Sequence, residues 1–323
     1  MILIVSSEDD VSTNHVIDWL EFYDAKYLRI TTNTKVKVSR LDINNTEVNG
    51  SIEINGKSVE LSSIQSIWYR RSGLRLLFES LHSNICEQLD SDVNNQIYTE
   101  FNVMREFLWS FFEKKSINLE KDNDTNKLIA LNFCKSIGLK IPDTLITSKK
   151  DELIKFKRKN KEIITKNYSP GLFIGNDNGY FTSATQIVTE EMIAKLSTEF
   201  IPMLFQKNIQ KSFEIRAFYL KGTLYSSAIF SQNDEKTKID FRNYNFSKPN
   251  RTPPFKINRN IEYKLRKLMN LLNLSSGSID LLVDIKGNYY FLEVNPVGQF
   301  RQVSIPCNYR IEERIALNLI YNE

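Results

Sequence analysis

The chain has 323 residues and a formal net charge of +4, from 43 Lys and Arg against 39 Asp and Glu; that length holds two or three domains, and the charge is too mild for a nucleic-acid binder. Hydrophobic residues at 41% and charged residues at 25% make an ordinary globular mix. The two His, His15 and His82, are too few for a three-histidine zinc site and too far apart for HExxH, and neither the three Cys nor the eleven Gly are spaced as a CxxC pair or the Gly-x-Gly dinucleotide fingerprint. Cys86, Cys134 and Cys307 are sparse and far apart, which suits a reducing cytoplasm. There is neither a signal-peptide pattern nor a run of about 18 apolar residues, so no membrane association is expected.

In chain order, Ile2 to Val5 reads as a short buried strand, followed by a helix carrying Val16, Ile17, Trp19 and Leu20 and a strand from Tyr27 to Ile30. Gly56-Lys57-Ser58 resembles the end of a phosphate loop, but the required earlier glycine is replaced by Ser51. Ile52 and Ile54 before Asn55-Gly56, with Val59 and Leu61 after, predict a hairpin instead. Ile64 to Tyr69 is a strand ending in Arg70-Arg71. Asp92 to Lys115 is a long amphipathic helix with Val93, Ile97, Met104, Phe107, Leu108 and Phe111 as candidate core. This α/β portion, 1–118, is the first domain. A helix with Leu128, Leu131, Phe133 and Ile137 stops at Gly138, and Ile141-Pro142 begins an extended segment. A basic helix from Glu152 to Lys159 and a strand from Glu162 to Asn167 follow, and Asn176 to Gly179 reads as a turn. These complete a central portion, 119–200. The last portion, 201–323, holds strands at Pro202 to Ile209, Phe213 to Leu220 and Thr223 to Phe230, and a helix from Ile261 to Leu274. A hairpin of Ile279 to Ile285 with Tyr289 to Asn295 and a closing helix from Ile311 to Tyr321 end it.

The chemistry concentrates in Ser278-Ile279-Asp280 and Phe291-Leu292-Glu293-Val294-Asn295-Pro296. Glu293 and Asn295 are two apart and share a strand face, with Leu292 and Val294 turned to the core. The hairpin brings Asp280 alongside. Three oxygen ligands on adjacent strands suit Mg²⁺, which shares its shell with phosphates. Ordinary solvent-facing polar residues at a strand end are the alternative.

The D-x(12)-E-x-N-P spacing resembles the metal end of the ATP-grasp family, as in D-alanine–D-alanine ligases and ribosomal-protein glutamate ligases. Other landmarks follow in the family order. Lys127 in Asn126-Lys127 resembles the first ATP lysine, and Lys166 in Ile163-Ile164-Thr165-Lys166 the second; lysine is a point cation on a flexible stem that follows polyphosphate charge. Leu204-Phe205-Gln206-Lys207-Asn208-Ile209 resembles the hinge between the ATP-grasping lobes, so Gln206, Lys207, Asn208 and Ile209 are implied at the adenine. Glu214 in Phe213-Glu214-Ile215-Arg216 matches the acidic residue for the ribose hydroxyls; an exposed cross-strand pair of Glu214 with Arg216 is the alternative. Arg216, and Arg242 in Ile239-Asp240-Phe241-Arg242, are implied near the transferred phosphate, where arginine stabilises developing charge. Asp280, Glu293 and Asn295 are implied as the Mg²⁺ ligands. The family's glycine-rich loop after the second lysine is altered here: Asn167 to Gly175 holds two glycines four apart and a proline.

The segments Met1 to Ser7, Asp18-Trp19-Leu20, Trp68-Tyr69-Arg70-Arg71, and Gly298-Gln299-Phe300 with Pro306-Cys307-Asn308-Tyr309 resemble graspetide synthetases. These are the ATP-grasp maturases of microviridin-type peptides, and the grasp-with-spasm branch is the nearest. The resemblance implies a mixed α/β ATP-grasp fold with α+β lobes behind an N-terminal pre-ATP-grasp α/β domain. It implies ATP and Mg²⁺ as cofactors, a ribosomally made precursor peptide with an acidic core as partner, a homodimer, and a cytoplasmic location. The implied reaction phosphorylates an Asp or Glu side chain and crosslinks it to Ser or Thr as an ester, or to Lys as an amide. A ligase joining two separate molecules, or a non-catalytic nucleotide-binding module, are the alternatives.

Overall fold

The computed structural model describes residues 1–71, 91–168, 173–176, 179–182, 185–232, 247 and 249–322, with backbone alone at 123–124, 173–176 and 179–182. They form two compact units, Met1–Asn123 with Arg310–Glu323, and Asp124–Tyr309.

The first unit opens with β1 (Ile2–Val5), α1 (Val11–Phe22) and β2 (Tyr27–Ile30). An antiparallel sheet of β3 (Val36–Ile43), β4 (Val48–Ile54) and β5 (Lys57–Glu60) follows, then β6 (Ser66–Tyr69), α2 (Ser91–Phe112) and β7 (Ser116–Ile117). The main sheet is parallel in the order β2-β1-β6-β7. All four β1 residues are buried, as expected of a parallel strand covered on both faces. Asp10 caps α1 by accepting from the Ser12 N–H at 2.9 Å, and its other oxygen lies 3.1 Å from Nε of the buried Arg70. The β4–β5 connection is the two-residue turn expected of Asn55-Gly56. Both residues have positive φ, +48° and +79°, which glycine adopts freely and asparagine tolerates. The phosphate-loop lookalike is therefore a hairpin. Trp68 and Tyr69 are buried, and Tyr69 meets Trp109 edge to face at 5.7 Å. In α2 the buried residues are Leu108, Trp109 and Phe112. Of the expected core positions only Leu108 is fully covered and Val93 is 45% exposed; helical periodicity identified the apolar stripe but not which of its turns are packed.

The second unit begins with α3 (Lys127–Ser136), capped by the Asn126 side chain, which accepts from the Leu128 and Ile129 N–H groups. It continues with β8 (Thr144–Lys149), α4 (Lys150–Asn160), β9 (Ile163–Thr165), β10 (Phe173–Asn176), β11 (Gly179–Thr182), β12 (Gln186–Ile187), α5 (Glu190–Lys195) and β13 (Glu199–Lys207). One sheet runs β12-β9-β13-β8, and β10 pairs with β11 in a separate ribbon. Leu153, Ile163, Val188, Ile193 and Phe205 form the core under the first sheet. The unit ends with β14 (Lys211–Leu220), β15 (Thr223–Ile229), α6 (Arg259–Leu271), β16 (Ser276–Asp284), β17 (Tyr289–Asn295) and α7 (Arg301–Cys307). These strands make an antiparallel sheet in the order β15-β14-β16-β17. One face packs Ile215, Ala217, Ile279, Leu281 and Phe291 against Leu131 and Cys134 of α3 and Leu265 and Leu268 of α6. Strand alternation leaves the opposite face for polar groups.

The closing helix α8 (Ile311–Tyr321), expected with residues 201–323, belongs to the first unit. It packs on α1 and β6; Tyr23 donates to Glu313 at 2.8 Å and Ser66 Oγ to the Leu319 carbonyl at 2.6 Å. Among the described residues no helix is long and apolar enough to cross a membrane.

Candidate functional site

Three of the expected residues form a row across the last sheet. Arg216 on β14 is in register with Asp280 on β16, which is in register with Glu293 on β17. Arg216 Nη1 lies 2.7 Å from both Asp280 oxygens, and its Nη2 donates to the Gln299 carbonyl at 3.4 Å. Both side chains are about nine-tenths buried. Charges removed from water this way are tolerated only when paired. At the end of the row Lys127 Nζ donates to Glu293 Oε2 at 2.6 Å, with side-chain exposures of 13% and 26%. Lys127 is the first residue of α3, the end at which the helix dipole favours an anion. Its cation adds to that field, and Glu293 supplies the negative charge.

Asn295 lies two residues beyond Glu293, opposite Ser278. It is exposed, and its Oδ1 accepts from the Val297 N–H at 3.1 Å. The register shifts between Asp280 and Leu281, so Leu281 faces Phe291. That bulge explains why Val294 packs on the core as expected while Leu292 is outside the cluster. Gly298 follows closely. A Cβ there would stand 2.5 Å from Ser278 Cβ and 2.7 Å from its Oγ, so only glycine lets this chain pass and bring the Gln299 carbonyl to Arg216. Among the described residues no cluster of three or more His, Cys, Asp or Glu is present. Two carboxylates and an amide oxygen on one sheet face remain a donor set suited to a hard cation.

Glu214 shares a strand face with Arg216, two residues away, and is buried. It is not an exposed cross-strand partner of Arg216. Lys211 Nζ lies 2.8 Å from its Oε1, and Ser231 Oγ donates to its Oε2 at 2.7 Å. Burial raises its pKa, opposed by Lys211 and Ser231. Lys211 is three residues back, a spacing that on a regular strand puts side chains on opposite faces. The register shift between Lys211 and Phe213 brings it round, so sequence spacing carried no signal for it.

The hinge residues lie where β13 ends. Gln206 and Lys207 complete the strand, and Asn208 and Ile209 start the connector to β14. The Lys207 N–H donates to the Asp143 carbonyl at 2.9 Å and the Asn208 N–H to that of Glu162 at 3.0 Å. The Ile209 N–H has no protein acceptor among the described residues. Gln206 is 0% exposed. Its Nε2 donates to Thr144 Oγ1 at 2.9 Å, and its Oε1 accepts from no donor among the described residues. Lys166 sits one residue past β9. Arg242 and residues 169–172 of the expected phosphate-covering loop lie outside the described residues.

Comparison with known proteins places this geometry in a class. Residues 1–124 match the family described as the MvdD pre-ATP grasp domain. The whole fold matches the Chryseobacterium gregarium RiPP-associated ATP-grasp ligase, in complex with ADP and a leader and core peptide. The TM-score is 0.80 at 25% identity, covering 100% of this chain and 97% of that one. It also matches the macrocyclase MdnC bound with precursor peptide MdnA from Microcystis aeruginosa MRC, with TM-score 0.76, 26% identity and 99% coverage of both chains. The ATP-grasp ligase PsnB, complexed with minimal precursor, Mg and ADP, has TM-score 0.71 at 17% identity, covering 99% of this chain and 96% of that one, a likeness of fold alone. No curated protein matches in sequence. The chain thus has an ATP-grasp fold behind a pre-ATP-grasp domain. More particularly, the likeness to the graspetide synthetases read from the sequence holds along the full chain.

Proposed function

We propose that this protein is an ATP-dependent peptide maturase, a macrocyclase that activates Asp or Glu side chains of a ribosomally made precursor peptide. The carboxylate oxygen attacks the γ-phosphorus and ADP leaves. A Ser or Thr hydroxyl, or a Lys amine, then attacks the acyl carbon, and phosphate leaves as an ester or amide forms. The observation that carries this reading is the full-length likeness to the Chryseobacterium ligase and to MdnC. The site supports it. The unpartnered, buried Gln206 Oε1 and the open Ile209 N–H offer one acceptor and one donor, which suit the adenine edge. Glu214 retains lone pairs beyond those used by Lys211 and Ser231, to accept ribose hydroxyls. Lys127 and Lys166 hold phosphates, and Arg216 and Arg242 neutralise the transferred group.

Asp280, Glu293 and Asn295 would hold Mg²⁺, which when bound neutralises phosphate charge and orients the polyphosphate. On this reading Lys127 exchanges the Glu293 carboxylate for phosphate. The proteins' remaining work is positioning, and no covalent enzyme intermediate is required. A cytoplasmic homodimer belongs to the same proposal; in the cytoplasm the described cysteines, Cys134 and Cys307, stay free.

The test is incubation with ATP, Mg²⁺ and an acidic precursor peptide, read by mass spectrometry. Loss of about 18 Da per bond supports crosslinking, since each ester or amide releases one water overall. A mass gain from an added amino acid favours a ligase joining two molecules. ATP binding with no peptide-dependent turnover across a panel of acidic precursors would refute the maturase.

A further inference from the structure

A glutamine amide can present either its oxygen or its nitrogen to a ligand, and the two choices read opposite bases. Around Gln206 the choice is fixed by a neighbour. Thr144 Oγ1 has one proton to give, and it donates that proton to the Pro142 carbonyl at 2.8 Å. Towards Gln206, at 2.9 Å, it can only accept. Nε2 must therefore face Thr144, and Oε1 is left as a buried acceptor with no donor among the described residues. Three residues on, the open Ile209 N–H adds a donor.

An acceptor and a donor on the same hinge segment complement adenine, which offers the N6 amino hydrogen and the N1 lone pair. A 6-oxopurine offers the reverse at both atoms, an O6 acceptor and an N1 hydrogen. We propose that Thr144 is a specificity-determining positioning residue: by fixing the Gln206 amide it makes the hinge select adenine over 6-oxopurine nucleotides. The proposal rests on the reading of this hinge as the nucleotide site. A hydroxyl in the wrong proton state, or none, would leave the amide free to turn over and accept a 6-oxopurine.

The measurement is the affinity of the full chain for ADP and for IDP, by calorimetry, with Thr144→Val, Thr144→Ser and Gln206→Leu beside the wild type. Two reversed buried hydrogen bonds predict a wild-type preference for ADP of about a hundredfold, roughly tenfold each. Thr144→Val keeps the side-chain volume but loses the hydroxyl, and should lower the ADP-to-IDP ratio about tenfold, partly through tighter IDP binding. A merely structural role would weaken both nucleotides together. Thr144→Ser should restore the wild-type ratio, and Gln206→Leu should lower it as Thr144→Val does. An unchanged ratio in Thr144→Val, or no discrimination by the wild type, overturns the proposal while leaving ADP binding intact. Binding of neither nucleotide by the wild type overturns the nucleotide reading itself and this proposal with it.

Discussion

Replacing Gly298 by alanine tests how closely the chain after β17 must pass β16. The added methyl would stand 2.5 Å from Ser278 Cβ, 2.7 Å from Ser278 Oγ and 3.0 Å from the Asn295 carbonyl. Side-chain atoms supply the two worst contacts, but Ser278 is buried on a central strand and has little room to retreat. Overpacking of this kind costs about 2 kcal/mol, or about 4–8 °C in the melting temperature of a unit this size. Ser278→Gly removes both offending atoms, at the cost of a strand glycine, about 1 kcal/mol. The double variant should therefore be more stable than the sum of the singles by at least about 1 kcal/mol. The three tryptophans, Trp19, Trp68 and Trp109, all lie in the first unit. Unfolding is better followed by far-UV circular dichroism and by amide exchange in β16 and β17 peptides. Strict additivity of the two substitutions would refute the close-approach argument. The shift should also loosen the Gln299 carbonyl from Arg216, so Gly298→Ala should lose activity under conditions where it remains folded.

Further expectations concern single residues. Glu293→Gln should reduce peptide-dependent ATP turnover at least about a hundredfold while changing stability by no more than about 1 kcal/mol, because the ion pair with Lys127 is partly solvent-exposed; steady-state kinetics and urea titration measure both. Asn126→Ala removes the acceptor for two N–H groups of α3. It should cost about 1 kcal/mol and weaken ADP binding by calorimetry, since Lys127 begins that helix. Burial pushes the Cys134 thiol up to about 12, so Cys134 should resist thiol reagents at neutral pH until the protein unfolds, as peptide mapping of the labelled chain would show. With the folded value above the unfolded one, the unfolded chain loses its proton first as pH rises. Stability is then fully present below the ordinary thiol range and falls from there towards about 12. Cys134→Ala should flatten that decline in denaturant titrations across pH.

What the sequence disclosed depends on how local the cause was. The hairpin carrying Asp280 and Glu293 was legible because alternation and the Lys286-Gly287-Asn288 turn are neighbours in the chain. So was the Asn126 cap of α3. The β13–β14 segment was legible as two strands, but register was hidden: one bulge brings Lys211 onto the face of Glu214, and another, in the β16–β17 hairpin, separates Leu292 from Val294. Bulges leave no mark on alternation until strand partners are known. Thr144 carried no motif, because its role comes from two hydrogen bonds, one of them to a residue 62 positions away. Val93 failed as a core residue for a related reason: periodicity shows which face of α2 is apolar, not which turns meet a neighbour. The closing helix was found at its expected place, but its unit was not, because packing on α1 is a contact across nearly the whole chain.

That packing sets an order on synthesis. Residues 124–309 are inserted between two parts of the first unit, so Val16 and Leu20 of α1 leave the ribosome long before Ile315 and Leu319 of α8 exist. Translating the roughly 190 inserted residues at about 5–20 residues per second takes on the order of 10–40 s. Through that interval the first unit is translated yet one helix short, while the unit translated after it can close first.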